Sequence, residues 1–208
     1  MTTVANIITK ARIKANDSGK TRIKEDTDLV KLLDDHVLSI HDTLVNMRSN
    51  LLLKSGTISI SSGTETYSPP TGHYITLEDG VYIDEGSPLT KVTQNQNMAE
   101  DYSTGGQPTM YYLDDSGDFG FLPVPDGSYT VNVLFFPSYT ALAATTDTIP
   151  YTFFDRYFEL ALVVDMLEIM ERDNRRYAIF AQQAYDQAMT KVVERGCVRL
   201  KFKGMYVN

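Results

Sequence analysis

The chain has 208 residues, 42% of them hydrophobic and 22% charged, with one cysteine, no tryptophan and a formal net charge of −8. That length can bury a substantial core, as one domain or as two small lobes. The lone Cys197 permits no intrachain disulfide, and no apolar run approaches the ~20 residues of a membrane span. The lone cysteine fits a protein folded in a reducing compartment, and Lys10, Arg12 and Lys14 stand where a signal peptide would be apolar; no membrane partner is expected.

Val4, Ile7, Ile8, Ala11 and Ala15 recur at helical spacing behind Thr2 and Thr3, either of which can cap. This predicts a short first helix with an exposed basic face, broken at Asn16-Asp-Ser-Gly19. Asp26, Thr27 and Asp28 open a longer helix, with acids at its positive pole. Its seam runs Leu33, Val37, Ile40, Leu44, Met47, Leu51, beside a second stripe of Val30, Leu38, Val45 and Leu52, and Lys54 and Gly56 are expected to close it.

From Thr57 the apolar period becomes two, as in a strand. Tyr74–Leu77 and Val81–Ile83 flank Glu78-Asp79-Gly80, which reads as a hairpin turn. Residues 94–108 read as loop. Thr109–Leu113, Phe119–Leu122 and Tyr129–Phe136 read as three further strands joined by Asp114–Asp118 and Pro125-Asp-Gly127. Short strands with glycine turns indicate a small antiparallel sandwich or barrel.

Beyond Pro150, Thr152-Phe-Phe-Asp155 has the form of a capping box. Residues 153–170 are apolar around more than one face, more than a surface helix carries. Helices of this kind need neighbours, and a cyclic contact between copies can supply them. A break at Arg172-Asp-Asn174 separates a second helix lined by Ala178, Ala181, Ala184, Ala188 and Val192, with Gly196 ending it. The predicted fold is α+β: a helical bundle lobe from residues 1–56 and 149–196, an inserted antiparallel β-sandwich or barrel lobe over 57–148, and an extended tail over 197–208.

Charge is segregated along this plan. Residues 1–24 carry six cations and the single acid Asp17, residues 25–150 carry eighteen acids against four cations, and a basic surplus returns at Arg195, Arg199, Lys201 and Lys203. Basic ends of this kind suit acidic partners, while an acidic middle repels nucleic acid; the alternative is a merely solvated acidic surface.

Candidate chemistry is thin. Ser18-Gly-Lys-Thr21 has the tail of a phosphate loop, but Lys14 stands where its first glycine belongs and a helix precedes it, so an interhelical turn is expected. Asp114-Asp115-Ser-Gly-Asp118 has the acid density of a calcium loop without the closing glutamate, so a hairpin tip is expected. His36 and His41, with Asp34, Asp35 and Asp42, fall on different helix faces and read as a solvated face rather than a metal site. The aromatic residues of the β lobe lack interleaved cations and read as core and interface packing rather than as stacking platforms for single strands. No metal, cofactor or catalytic residue is expected; a hydrolase built on Asp114 and Asp118 would need a partner base that is not evident. Cys197-Val-Arg-Leu-Lys-Phe-Lys203 alternates apolar and basic residues, which suits either a strand returning to its own β lobe or strand addition to another subunit or partner.

The order of parts resembles the head-to-tail connector (adaptor) proteins of short-tailed bacteriophages. The resemblance is carried by Ala11-Arg12-Ile-Lys14, the helix at Asp28–Arg48, Phe119-Gly-Phe-Leu-Pro-Val-Pro-Asp-Gly-Ser-Tyr-Thr-Val131, Leu134-Phe-Phe-Pro-Ser-Tyr139, and the proline-initiated helix pair with Asp173 between its halves. It covers nearly the whole chain. It implies a non-enzymatic virion protein of the neck, made in the host cytoplasm and assembled as a homo-oligomeric ring of about twelve copies. The portal protein and a downstream tail or nozzle protein are the implied partners, and double-stranded DNA would pass through without sequence-specific binding. Within that picture Arg199, Lys201, Phe202, Lys203 and Tyr206 would dock on the portal, and Asp79, Asp84, Asp114, Asp115 and Asp118 would face the channel. Another neck or tail component, such as a tail-tube gatekeeper or fibre-attachment protein, is the alternative.

Overall fold

The structure is a computed structural model that describes residues 2–83, 86–93 and 105–195. It is a mixed α+β chain with no closed barrel among the described residues. Two compact units divide it: one uses the chain up to Leu51 and the described residues from Tyr139 onward, the other Leu52–Ser138.

Four helices build the first unit: α1 (Val4–Ala15), α2 (Asp26–Asn46), α3 (Asp155–Ile169) and α4 (Arg175–Glu194). Helix α1 is capped by Thr3, whose hydroxyl accepts from the Asn6 amide, and it ends at Asn16 in the left-handed region (φ 57°). Its first amides would otherwise be orphaned. Val4 and Ala5 instead donate to the carbonyls of Asp147 and Thr145, and β1 (Thr2–Thr3) pairs with β9 (Thr148–Ile149).

Helix α2 stops well before Gly56. Arg48 adopts φ 50°, and the Ser49 amide bonds the Leu44 carbonyl at 2.9 Å, closing the last turn as a left-handed cap does. The chain then straightens, and Lys54 and Gly56 belong to strand β2 (Lys54–Ile60) instead. The predicted seam is buried through Leu44, while Leu51 and Leu38 are exposed.

The capping box at 152–155 does not form. Thr152–Phe154 is a 3-10 turn, so the Asp155 amide is already bonded to the Thr152 carbonyl, and the Asp155 carboxylate accepts from the Thr2 hydroxyl. Helix α3 is the centre of the unit. Phe158, Leu160, Ala161, Leu162, Val163, Met166 and Leu167 are all buried, and α3 packs on α1, α2 and α4. Most of its apolar surface is therefore covered inside one chain, while Ile169 at its end stays 56% exposed. Ala181, Ala184, Ala188 and Val192 of α4 are buried, whereas Ala178 is exposed.

The second unit holds two sheets. One has the order β2, β8 (Tyr129–Pro137), β4 (His73–Ile83), all antiparallel. The other runs β3 (Thr66–Tyr67), β7 (Phe119–Leu122), β6 (Met110–Leu113), β5 (Thr90–Lys91), in which β5 and β6 are parallel. One buried cluster draws Ile58, Val81, Val131 and Val133 from the first sheet and Tyr111, Phe119 and Phe121 from the second.

The hairpin expected at Glu78-Asp79-Gly80 is absent. His73–Ile83 is a single strand along β8, with Thr76 opposite Phe135 and Val81 opposite Val133, so the intervening residues of β4 bulge out of register. Asp79 supplies the left-handed backbone (φ 58°), and a Cβ at Gly80 would lie 2.8 Å from the Leu77 carbonyl oxygen.

Candidate docking surfaces

The basic amino-terminal segment folds around a buried ion network. Asp17, 1% exposed, accepts from the Thr21 amide, the Thr21 hydroxyl and the Arg22 amide, each at 3.0 Å, and from the Ile23 amide at 3.3 Å. Arg12 Nη1 donates to Asp17 at 2.8 Å and to the Ile23 carbonyl at 2.8 Å, while its Nε and Nη2 reach Asp26 at 3.1 and 2.7 Å. Burial pushes the Asp17 carboxyl up, but the Arg22 amide, the Thr21 hydroxyl, the Ile23 amide and the Arg12 charge together hold it below the usual carboxylate range. The amides that a phosphate loop would offer a nucleotide are thus spent on the chain's own carboxylate.

Arg12 is 4% exposed, so the basic face expected on α1 does not include it. Sequence reasoning missed this role, yet a signal was present: Arg12 follows Ile8 by four and precedes Ala15 by three, on the apolar side. Lys10, Arg22 and Lys24 remain exposed; Lys14 pairs with Glu159 at 2.6 Å and Lys20 with Asp26 at 2.5 Å.

The polar side of α2 is not the solvated face expected. His36 Nε2 lies 2.7 Å from Asp165 of α3, with the Tyr157 ring edge-on to the imidazole. His41 is 2% exposed, and its Nδ1 lies 2.5 Å from the Tyr151 hydroxyl. Asp34 accepts from the Tyr139 hydroxyl at 2.5 Å and the Leu142 amide at 2.6 Å, pinning the segment after Ser138 to α2. Burial first, then the bond to Asp34, push the Tyr139 phenol far up, and burial with the Asp42 charge pushes Tyr151 up to about 12. Tyr139 is thus a neutral donor to Asp34, and Tyr151 a neutral phenol beside His41. No group of three metal-capable side chains meets among the described residues.

The acids singled out in the sequence are placed in two settings. Asp79 is exposed on the β4 bulge. Asp114, Asp115 and Asp118 occupy the β6–β7 hairpin tip, where Asp114 Oδ1 accepts from the Ser116 and Asp118 amides at 2.8 and 2.9 Å and Gly117 takes φ 85°. Asp114 is thereby used in folding its own turn, while Asp115 is exposed. Asp84 and the tail residues Arg199, Lys201, Phe202, Lys203 and Tyr206 lie outside the described residues.

Among the described residues, the side chains singled out in the sequence serve turns, straps and packing, beside exposed charge of both signs. The model of the SU10 adaptor protein family matches residues 2–199, nearly the full chain, and the chain belongs to that family. It is thus a bacteriophage adaptor, a structural protein of the virion neck; the family implies a non-enzymatic role and contact with portal and tail proteins. No curated protein matches the chain. No described helix is long and apolar enough to cross a membrane.

Proposed function

We propose that this chain is one copy of a ring, of about twelve copies, that joins the portal of a short-tailed phage to the downstream tail and completes the channel for its DNA. The observation that carries the reading is the adaptor-family match over residues 2–199. In this reading the helical unit is a bundle lobe set beside its equivalents around the ring, and the β unit is a sandwich lobe. Segregated charge supports it: acids such as Asp79, Asp84, Asp114, Asp115 and Asp118 lining the channel would let a polyanion slide, because local phosphate contacts would slow it. The basic tail, with Arg199, Lys201, Phe202, Lys203 and Tyr206, would reach the portal. Native mass measurement of the chain with and without its portal tests the ring: a closed multimer on the portal is expected, and a chain that stays monomeric in its presence overturns the reading. A map of the assembled neck that sets the acids on the outer wall removes the channel assignment.

A further inference from the structure

The chain returns to the helical unit through residues 139–151, a segment held mostly by polar contacts. From Tyr139 to Pro150 only Ile149 is buried. Asp34 of α2 holds the front of this strap: its Oδ1 accepts from the Tyr139 hydroxyl at 2.5 Å and from the Leu142 amide at 2.6 Å. The middle is folded on Asp147, whose Oδ2 accepts from the Ala143 and Ala144 amides at 2.7 and 2.9 Å. The carbonyls of Thr145 and Asp147 in turn take the Ala5 and Val4 amides of α1, each at 2.9 Å. The rear is anchored differently. Ile149 is fully buried and stands opposite Thr2, and the Tyr151 hydroxyl sits beside His41.

Segments held by exposed hydrogen bonds open at less free energy than elements that bury an apolar face. Residues 139–147 contribute no buried side chain, whereas α1, α2 and α3 each bury several. Front and middle depend on one another: with the Asp34 bonds gone, the chain ahead of β9 is tied to the helices through the two α1 amides. Those amides belong to the first turn of α1 and have no acceptor within the helix, so the strap is their partner in place of water. Thr145 also forms part of the wall of an open groove of about 310 Å³, which Ala5, Ile8 and Arg12 line from α1.

We propose that residues 139–147 are a releasable strap, latched by Asp34 and hinged at β9, whose opening frees the first amides of α1 and takes the Thr145 wall off the groove. Asp34 lies on α2 and bonds neither Val4 nor Ala5, so any effect of the latch on those amides travels through the strap. All of these residues belong to the helical unit of one chain, and the inference stands apart from the ring reading.

Amide hydrogen exchange on the intact chain tests this, under conditions where the rate follows the opening equilibrium. In the parent, the Val4, Ala5 and Leu142 amides are expected to exchange together, and faster than the interior amides of α2 and α3. Tyr139→Phe deletes the hydroxyl that Asp34 accepts, and should speed exchange at Val4 and Ala5 by about tenfold while the α2 and α3 interiors keep their rates. Asp34→Ala removes both latch bonds and should speed it further. Asp34→Asn, which keeps a neutral acceptor, should fall between the parent and Asp34→Ala, and it replaces Asp34→Ala where that variant does not fold. Parent strap amides that exchange only on global unfolding overturn the proposal. So do Val4 and Ala5 rates left unchanged by Tyr139→Phe, or a rise shared equally by the α2 and α3 interiors.

Discussion

Asp17 shows how much one carboxylate organises at the residue scale. It neutralises the buried Arg12 and gathers the amides of residues 21–23, so the turn between α1 and α2 is folded onto a single side chain. Asp17→Ala leaves Arg12 facing Asp26 alone and three amides unpaired, and is expected to cost the helical unit about 3 kcal/mol in urea unfolding. The native pKa of Asp17 lies below the unfolded value near 3.8, so its contribution is complete above that value and is lost as pH falls through the native one. Asp17→Asn should therefore flatten the acid limb of the stability curve below that value.

His73 works in the opposite sense. Burial lowers its pKa from 6.5, and it sits among Phe119 and Phe135 with its Nε2 2.8 Å from the Thr76 hydroxyl. The fold favours the neutral ring, so its contribution is present above 6.5 and declines as pH falls below it. The β unit should lose denaturant resistance as pH falls below 6.5, and His73→Gln should remove much of that slope; an unchanged slope in the variant refutes this.

At the scale of elements, the departures from the sequence reading share one cause: a local pattern fitted two structures and a distant partner chose between them. Glu78-Asp79-Gly80 has hairpin chemistry, but β8 offers an unbroken edge to residues on both sides of it, so the triplet became a bulge. Thr152 and Asp155 had capping chemistry, but a 3-10 turn used the amide and Thr2 occupied the carboxylate. The apolar run of α3 looked too large for one molecule because two of its three neighbours, α1 and α2, lie far away in the chain. The β6–β7 pair is more exacting still. Tyr112 stands opposite Gly120, and a Cβ there would lie 2.0 Å from the ring. Gly120→Ala must displace the ring and is expected to lower stability by about 1–3 kcal/mol, with partial recovery when Tyr112→Leu makes room, as calorimetry would show.

At the scale of the whole molecule, the proposed docking role of the basic tail has a direct test. If the tail serves docking, a chain lacking 198–208 should keep the circular dichroism and melting of the parent while losing portal binding; a truncated chain that fails to fold would assign the tail to the core.

The sequence by itself determined the α+β class, the existence of the four helices, most of the strands and the separation of charge. Each of these follows from residue spacing and composition, which act over a few residues. Tertiary structure alone decided which carboxylates Arg12 meets, that the α2 polar face is strapped to Tyr139 and Tyr151, and that β4 is one strand. The reason is that the straps on α2 reach partners 105 and 110 residues away and β4 follows a strand distant in the chain, while the Arg12 network is set by the conformation of a turn, and none of these leaves a period to read.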